Sequence, residues 1–212
     1  MTGASSEPVH TVLLDADGVL QCPAEGWLDK WRPYADGDLD EFTAQMFLAE
    51  LPALEGQADL YASIEEFLRE SGRDVAARDE ICSAWAMIEI FDQAFQVVDD
   101  IRAQGIAVHL ATNQQCYRRD VMLDLGYPKH FDRLFFSCDL AVAKPSPDYF
   151  RAILGELRCE PEGVLFIDDR LDNVEAARSV GIQAYPHQPQ PGTDKGVGQL
   201  RTLLRDAGVP GA

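Results

Sequence analysis

The chain has 212 residues, enough to bury a sizeable core in one large domain or in a domain with a smaller insert. Apolar residues make up 46% and charged residues 25%, an ordinary balance for a soluble globular protein. The 36 acidic against 18 basic residues leave a formal charge of −18, a field that repels polyanions and argues against nucleic-acid and anionic-membrane partners.

In chain order, MTGASSEPVH lacks a basic region and a long apolar stretch, so no signal peptide or membrane span is expected. Val9–Leu14 (VHTVLL) reads as a short buried strand, ended by Asp15 and the turn chemistry of Asp17-Gly18. The following seventy or so residues carry helical patterning: Ile64, Phe67 and Leu68 fall at i, i+3, i+4. Pro33, Gly37, Pro52, Gly56 and Gly72 punctuate them, and residues 21–91 are read as a small helical insert with hinges near Gln21–Pro23 and Ile90–Asp92. Its conspicuous aromatics, Trp27, Trp31, Phe42, Phe47 and Tyr61, are expected to pack the insert's own core.

Beyond residue 92 the pattern alternates. Apolar runs at Ile106–Ala111, Arg133–Ser137, Gly163–Ile167 and Gly181–Tyr185 predict strands. Helical stretches fall at about 92–104, 116–125, 146–157, 171–179 and 197–207, and the tail after Ala207 (GVPGA) is expected to be loose. Such alternation predicts an α/β fold, a parallel sheet with helices on both faces, formed by residues 1–20 and 92–212. The five cysteines form no C-x-x-C pair and suit a reducing cytoplasm; His10, His109, His130 and His187 show no ligand spacing and are read as structural or surface residues.

Open α/β sheets bind ligands beyond the C-terminal ends of their strands. Here those ends carry Asp15-Ala16-Asp17, Thr112-Asn113 and Asp168-Asp169, with Lys144 on the loop after the RLFFS strand. Singly, each has a plain explanation, since Asp and Asn cap helices and start turns. Together they are harder to dismiss. Two unit charges about 4 Å apart repel by roughly 4 kcal/mol at an effective dielectric of 20, so gathered carboxylates call for a cation or raised pKa values. Oxygen ligands without His or Cys suit Mg²⁺, and Lys144 offers the fixed positive charge a phosphoryl group wants.

LLDADGVL, HLATNQ, VAKPSPDYF and LFIDDRLDN, in that order, resemble the four motifs of the haloacid dehalogenase-like superfamily. The likeness covers roughly 9–20 and 93–186. It extends to the subfamily with a small helical cap after the first motif and paired acids in the last. The resemblance implies a Rossmann-like doubly wound sheet with an inserted cap, and a Mg²⁺-dependent phosphatase acting on a small phosphorylated metabolite. It makes Asp15 the nucleophile, forming an aspartyl-phosphate that water hydrolyses, and Asp17 the general acid and then base. Dehalogenases of the superfamily lack an acid at the position of Asp17. Asp15, the backbone carbonyl of Asp17, and Asp169 would be metal ligands, with Asp168 reaching the metal through water; the last two assignments are open to reversal. Thr112 and Asn113 would bind phosphate oxygens, and Lys144 would both contact phosphate and balance charge in the transition state. Asn173 supports the last motif or merely starts a helix; Arg170 and the Gln114-Gln115 pair carry no assigned role. A monomer or homodimer is expected. Two rivals stand beside this reading: a phosphomutase of the same superfamily, and a receiver-like signalling domain, which places its acidic pair first in the chain rather than last.

Overall fold

The computed structural model describes residues 8–188 and 196–212; the reading of the extreme N-terminus at 1–7 lies outside them. Five strands, β1 (Thr11–Leu14), β4 (Ala107–Thr112), β5 (Arg133–Phe136), β6 (Val164–Asp168) and β7 (Gln183–Pro186), form one sheet in the order β5-β4-β1-β6-β7. Every neighbouring pair is parallel, with Leu13 level with His109 on one side and Phe166 on the other. The chain runs outward from β1 through β4 to β5, then returns to the other side for β6 and β7. This reversal puts a topological switch at the ends of the central strands.

Strand alternation divides the core between the two faces. Val12 and Leu14 enter one apolar cluster with residues of α4 (Asp92–Arg102), α5 (Cys116–Asp124) and α9 (Val197–Asp206). Leu13 enters the other with α7 (Pro147–Leu157) and α8 (Leu171–Ser179). A short helix absent from the sequence reading, α6 (Ser137–Leu140), follows β5 directly. The tail expected to be loose is packed: Val209 is buried and its N–H donates to the Leu204 carbonyl.

Between Gln21 and Ile90 the chain leaves the sheet and returns. The two connections pair as an antiparallel ribbon, β2 (Gln21–Pro23) with β3 (Ile88–Ile90), strands of three residues and too short for periodicity to reveal. Within the excursion lie α1 (Leu39–Leu54), α2 (Leu60–Glu70) and α3 (Arg78–Ser83). Asp38 and Asp59 cap the first two, accepting from the N–H groups of Glu41 and Ala62. The helices close around Trp31, Phe42, Met46, Ile64 and Leu68, and the Trp31 indole donates to the Ile81 carbonyl at 2.9 Å. Pro52, read as punctuation, lies inside α1, where it ends the helix within a turn instead of preventing it.

Leu14 is fully buried at the centre of the sheet. Leu14→Ala should cost about 2–5 kcal/mol in urea unfolding, transfer and cavity terms together; a loss under about 1 kcal/mol would mean the site can collapse around the gap.

Candidate active site

The floor of the site is built where β1, β4 and β6 end. Asp15 continues the β1 ladder by donating its N–H to the Ile167 carbonyl at 3.0 Å, which fixes its carboxylate over the sheet edge. The Lys144 ammonium, almost sealed from solvent, meets Asp15 Oδ1 at 2.8 Å, Asp168 Oδ2 at 2.6 Å and the Ala111 carbonyl at 2.8 Å. Its three protons are thereby all used. Burial works against this charge, but the two carboxylates outweigh it and hold the lysine above its ordinary pKa. Burial dominates at Asp15 too; Lys144 opposes it, Asp168 and Asp17 add to it, and the carboxyl is raised to about 7.

Asp168, fully buried, is saturated: Oδ1 accepts from the Arg170 N–H at 2.8 Å and from Asn173 Nδ2 at 3.0 Å, and Oδ2 accepts from Lys144 and again from Asn173. Asp169 is exposed, and its carboxyl is raised by burial and by Asp168. It leans over Gly18, where a Cβ would come within 2.6 Å of Asp169 Oδ2 and where φ is +79°; both facts require glycine. One carboxylate oxygen each from Asp15, Asp168 and Asp169 lies within 4.8 Å of the others.

β1 stops at Leu14, so Asp15 and Asp17 reach the same cleft through a turn and not through strand alternation. The N–H groups of Val19, Leu20 and Gln21 converge on the Ala16 carbonyl and shape that turn. Asp17 accepts from Gln21 at 3.0 Å, Gln114 at 2.7 Å and Arg118 Nη2 at 2.8 Å. The last two donors went unassigned in the sequence. Their one local signal was position, in the first turn after a strand that ends in Thr112-Asn113. Gln115, fully buried, caps α5 by accepting from the Arg118 N–H at 2.6 Å.

Thr112 is buried with its hydroxyl facing Gln114 Nε2 at 3.2 Å. The Asn113 side chain is committed elsewhere: its amide donates to the Lys144 carbonyl at 2.8 Å and accepts the Lys144 N–H at 2.9 Å. It clamps the lysine loop to β4, which leaves its backbone as the group available to a ligand. Both residues, with Asp15, Asp17, Lys144 and Asp169, line a cleft of about 330 Å³. Arg170 lines it as well but pairs with Asp172 at 2.7 Å.

The roof comes from the helical excursion. Trp31 and Phe42 pack its core as expected, and Trp27 and Tyr61 pack against it; Trp27 also lines the cleft, together with the exposed Phe47. Glu50 of α1, unnoticed in the sequence, lines it too, although buried. Burial lifts its carboxyl from the ordinary 4.5 to about 7, against the pull of the neighbouring Trp85 and Gln115 side chains and of the Arg118 charge.

A parallel sheet with a switch point, an acid at its central strand end and a lysine bridging it to a second acid places the site where open α/β folds bind ligands. The chain belongs to the haloacid dehalogenase-like hydrolases, whose sequence model matches residues 9–181. It is 26% identical over 134 residues to bifunctional epoxide hydrolase 2 of Rattus norvegicus, covering 56% of this chain and 24% of that protein. A phosphorylated carbohydrates phosphatase of Thermotoga maritima is 25% identical over 183 residues, 82% of this chain and 83% of that one. A phosphoserine phosphatase of Thermus thermophilus is 26% identical over 152 residues, 66% and 61% of the two chains. The chain thus spans about a quarter of the rat relative and three fifths of the Thermus one. A haloacid dehalogenase family enzyme from Bacteroides thetaiotaomicron, also crystallised with magnesium, shares the fold at a TM-score of 0.75 with 22% identity, over 89% of this chain and 97% of its own.

Because folding raises the Glu50 pKa, the folded chain holds that proton more tightly than the unfolded one. The associated stability is complete below the ordinary carboxyl range and is lost as pH rises through about 7. Glu50→Gln should therefore match the parent near pH 4 and exceed it by on the order of 3 kcal/mol near pH 8 in chemical denaturation. Equal stability at both pH values would remove the case for a desolvated carboxyl.

Proposed function

We propose that the protein is a Mg²⁺-dependent phosphatase that hydrolyses a small phosphate monoester through an aspartyl-phosphate on Asp15. The observation that carries the reading is the asymmetry of the two acids in the first loop. Asp15 sits against Lys144 and within reach of Asp168 and Asp169, whereas Asp17 stands apart, held by Gln21, Gln114 and Arg118. One carboxylate is placed among groups that balance charge, the other among donors that orient it for proton work.

The residues fit a hard divalent cation. Three carboxylates converge and a single ammonium, Lys144, offsets them, so the cluster keeps an uncompensated negative charge. Asp15, Asp169 and the Asp17 carbonyl would hold Mg²⁺, with Asp168 behind them, because its oxygens are already occupied by Lys144, Asn173 and the Arg170 N–H. When bound, the ion supplies positive charge to the phosphoryl oxygens.

Asp15 attacks phosphorus as the bond to the ester oxygen breaks, and Asp17 gives that oxygen its proton. Asp17, now a carboxylate, takes a proton from a water that attacks the aspartyl-phosphate, releasing phosphate and regenerating Asp15. Lys144 neutralises Asp15 and sets a fixed positive charge behind it, while the Thr112 hydroxyl and the Asn113 backbone would offer donors to the phosphoryl oxygens. An acid at Asp17 favours an alcohol over a halide as leaving group, since a halide departs without a proton. The five cysteines, all free thiols, support a cytoplasmic setting. No helix among the described residues is long and apolar enough to cross a membrane.

A panel of phosphate monoesters tests this, with Mg²⁺ or EDTA. The parent should release phosphate only with the metal, and Asp15→Asn should lower kcat by at least about 10³-fold. Equal release by variant and parent would end the nucleophile assignment, and conversion of a bisphosphate into an isomer without free phosphate would favour a mutase.

A further inference from the structure

Glu50 projects from α1 into the same cleft as Asp15, yet only 6% of it is exposed. Its neighbours along that wall are Trp27, Phe47, Leu54, Trp85 and Met87, a setting that gives a carboxyl little solvation. Among the described residues no lysine, arginine or histidine lies within salt-bridge distance of it: Arg118, the cation near it, is engaged with Asp17 at 2.8 Å. The Trp85 indole and the Gln115 amide lie near enough to pull its pKa down, and Gln115 Nε2 has no hydrogen-bond partner among the described residues. A side chain serving only to pack α1 against Trp85 would do so better as leucine, without the desolvation cost.

We propose that Glu50 is the specificity-determining residue of the cleft, and that the alcohol leaving from the phosphate carries a second hydrogen-bond donor, a hydroxyl or an ammonium, that meets the Glu50 carboxyl. This rests on the phosphatase reading above. The aromatic wall of Trp27 and Phe47 receives the carbon skeleton of that alcohol, and Glu50 reads its polar end. The raised pKa of Glu50 agrees with a carboxyl that lacks a full counter-charge until the substrate supplies a donor. A substrate without that donor leaves the buried carboxyl unpaired while excluding water from it, a penalty that makes such sites reject analogues.

Three alkyl phosphates of one chain length, ending in methyl, hydroxyl or ammonium, test the proposal with the intact protein and Mg²⁺. One polar ester should exceed the methyl ester in kcat/KM by roughly 10–100-fold. Glu50→Leu should bring that ratio within about threefold, the change falling mainly in KM. Glu50→Gln should keep the preference for the hydroxyl ester if that is the substrate type, and lose it if the ammonium ester is. A purely structural role would lower all three esters together and leave the ratio intact. An unchanged ratio in Glu50→Leu, or a parent that treats the three esters alike, overturns the proposal while leaving the Asp15 chemistry standing. Failure of every ester, with Asp15→Asn indistinguishable from the parent, overturns the phosphatase reading and this one with it.

Discussion

The Lys144 ammonium donates to groups at the ends of three different strands: Asp15 after β1, the Ala111 carbonyl in β4 and Asp168 at the end of β6. A charge so thoroughly removed from water is tolerable only when every proton has an acceptor and the neighbouring charges are opposite. The bridge therefore demands the parallel register that brings those strand ends level, and the register in turn rests on the two apolar clusters that β1 feeds from alternate residues. Packing, register and charge are one constraint seen at three levels. Removing the ammonium would leave two desolvated carboxylates facing each other.

Around this bridge the neighbouring side chains serve mostly to hold others still. Asn113 fastens the backbone of Lys144, Asn173 and the Arg170 N–H occupy Asp168, and Gly18 leaves room for Asp169 to pass above the turn. His187, buried, touches the Gly18 carbonyl at 2.8 Å and ties that turn to β7's far end. Such orientation matters because the chemistry proposed for the site is largely a matter of placed charge. The remaining excess of negative charge is where the proposed divalent cation would be held.

Much of the floor could be read from the chain itself. Strands betray themselves as short apolar runs, and an aspartate where such a run stops has no packing reason to be there, so Asp15, Asp168 and Asp169 stood out locally. Asp17 stood out for the same reason, although the geometry that brings it to the cleft is a turn. Gln114, Arg118 and Glu50 did not, because nothing in their local sequence separates them from surface residues of an amphipathic helix; their significance depends on a partner about a hundred residues away in Gln114 and Arg118, and on burial in Glu50. Phe47 was assigned to the insert's core because aromatics usually are, and composition cannot tell an inward ring from an exposed one that lines a cleft. Asn113 lies beside the site as expected, where its backbone N–H was the group assigned to phosphate; its side chain is spent on the lysine loop.

The same division explains why the family is plain while the substrate is not. In the function proposed, the floor handles a group common to all phosphate esters, and it is locked by interdependent bonds. The roof packs around its own tryptophan cluster, and none of Glu50, Phe47 and Trp27 shares in the hydrogen bonds and ion pairs that hold Lys144. Likeness at about a quarter identity to proteins with different names fits the proposal that the floor carries a shared reaction step and the roof chooses what is brought to it. A desolvated carboxyl without its own counter-ion among the described residues, on the roof of the cleft, is where a choice of substrate would leave its mark.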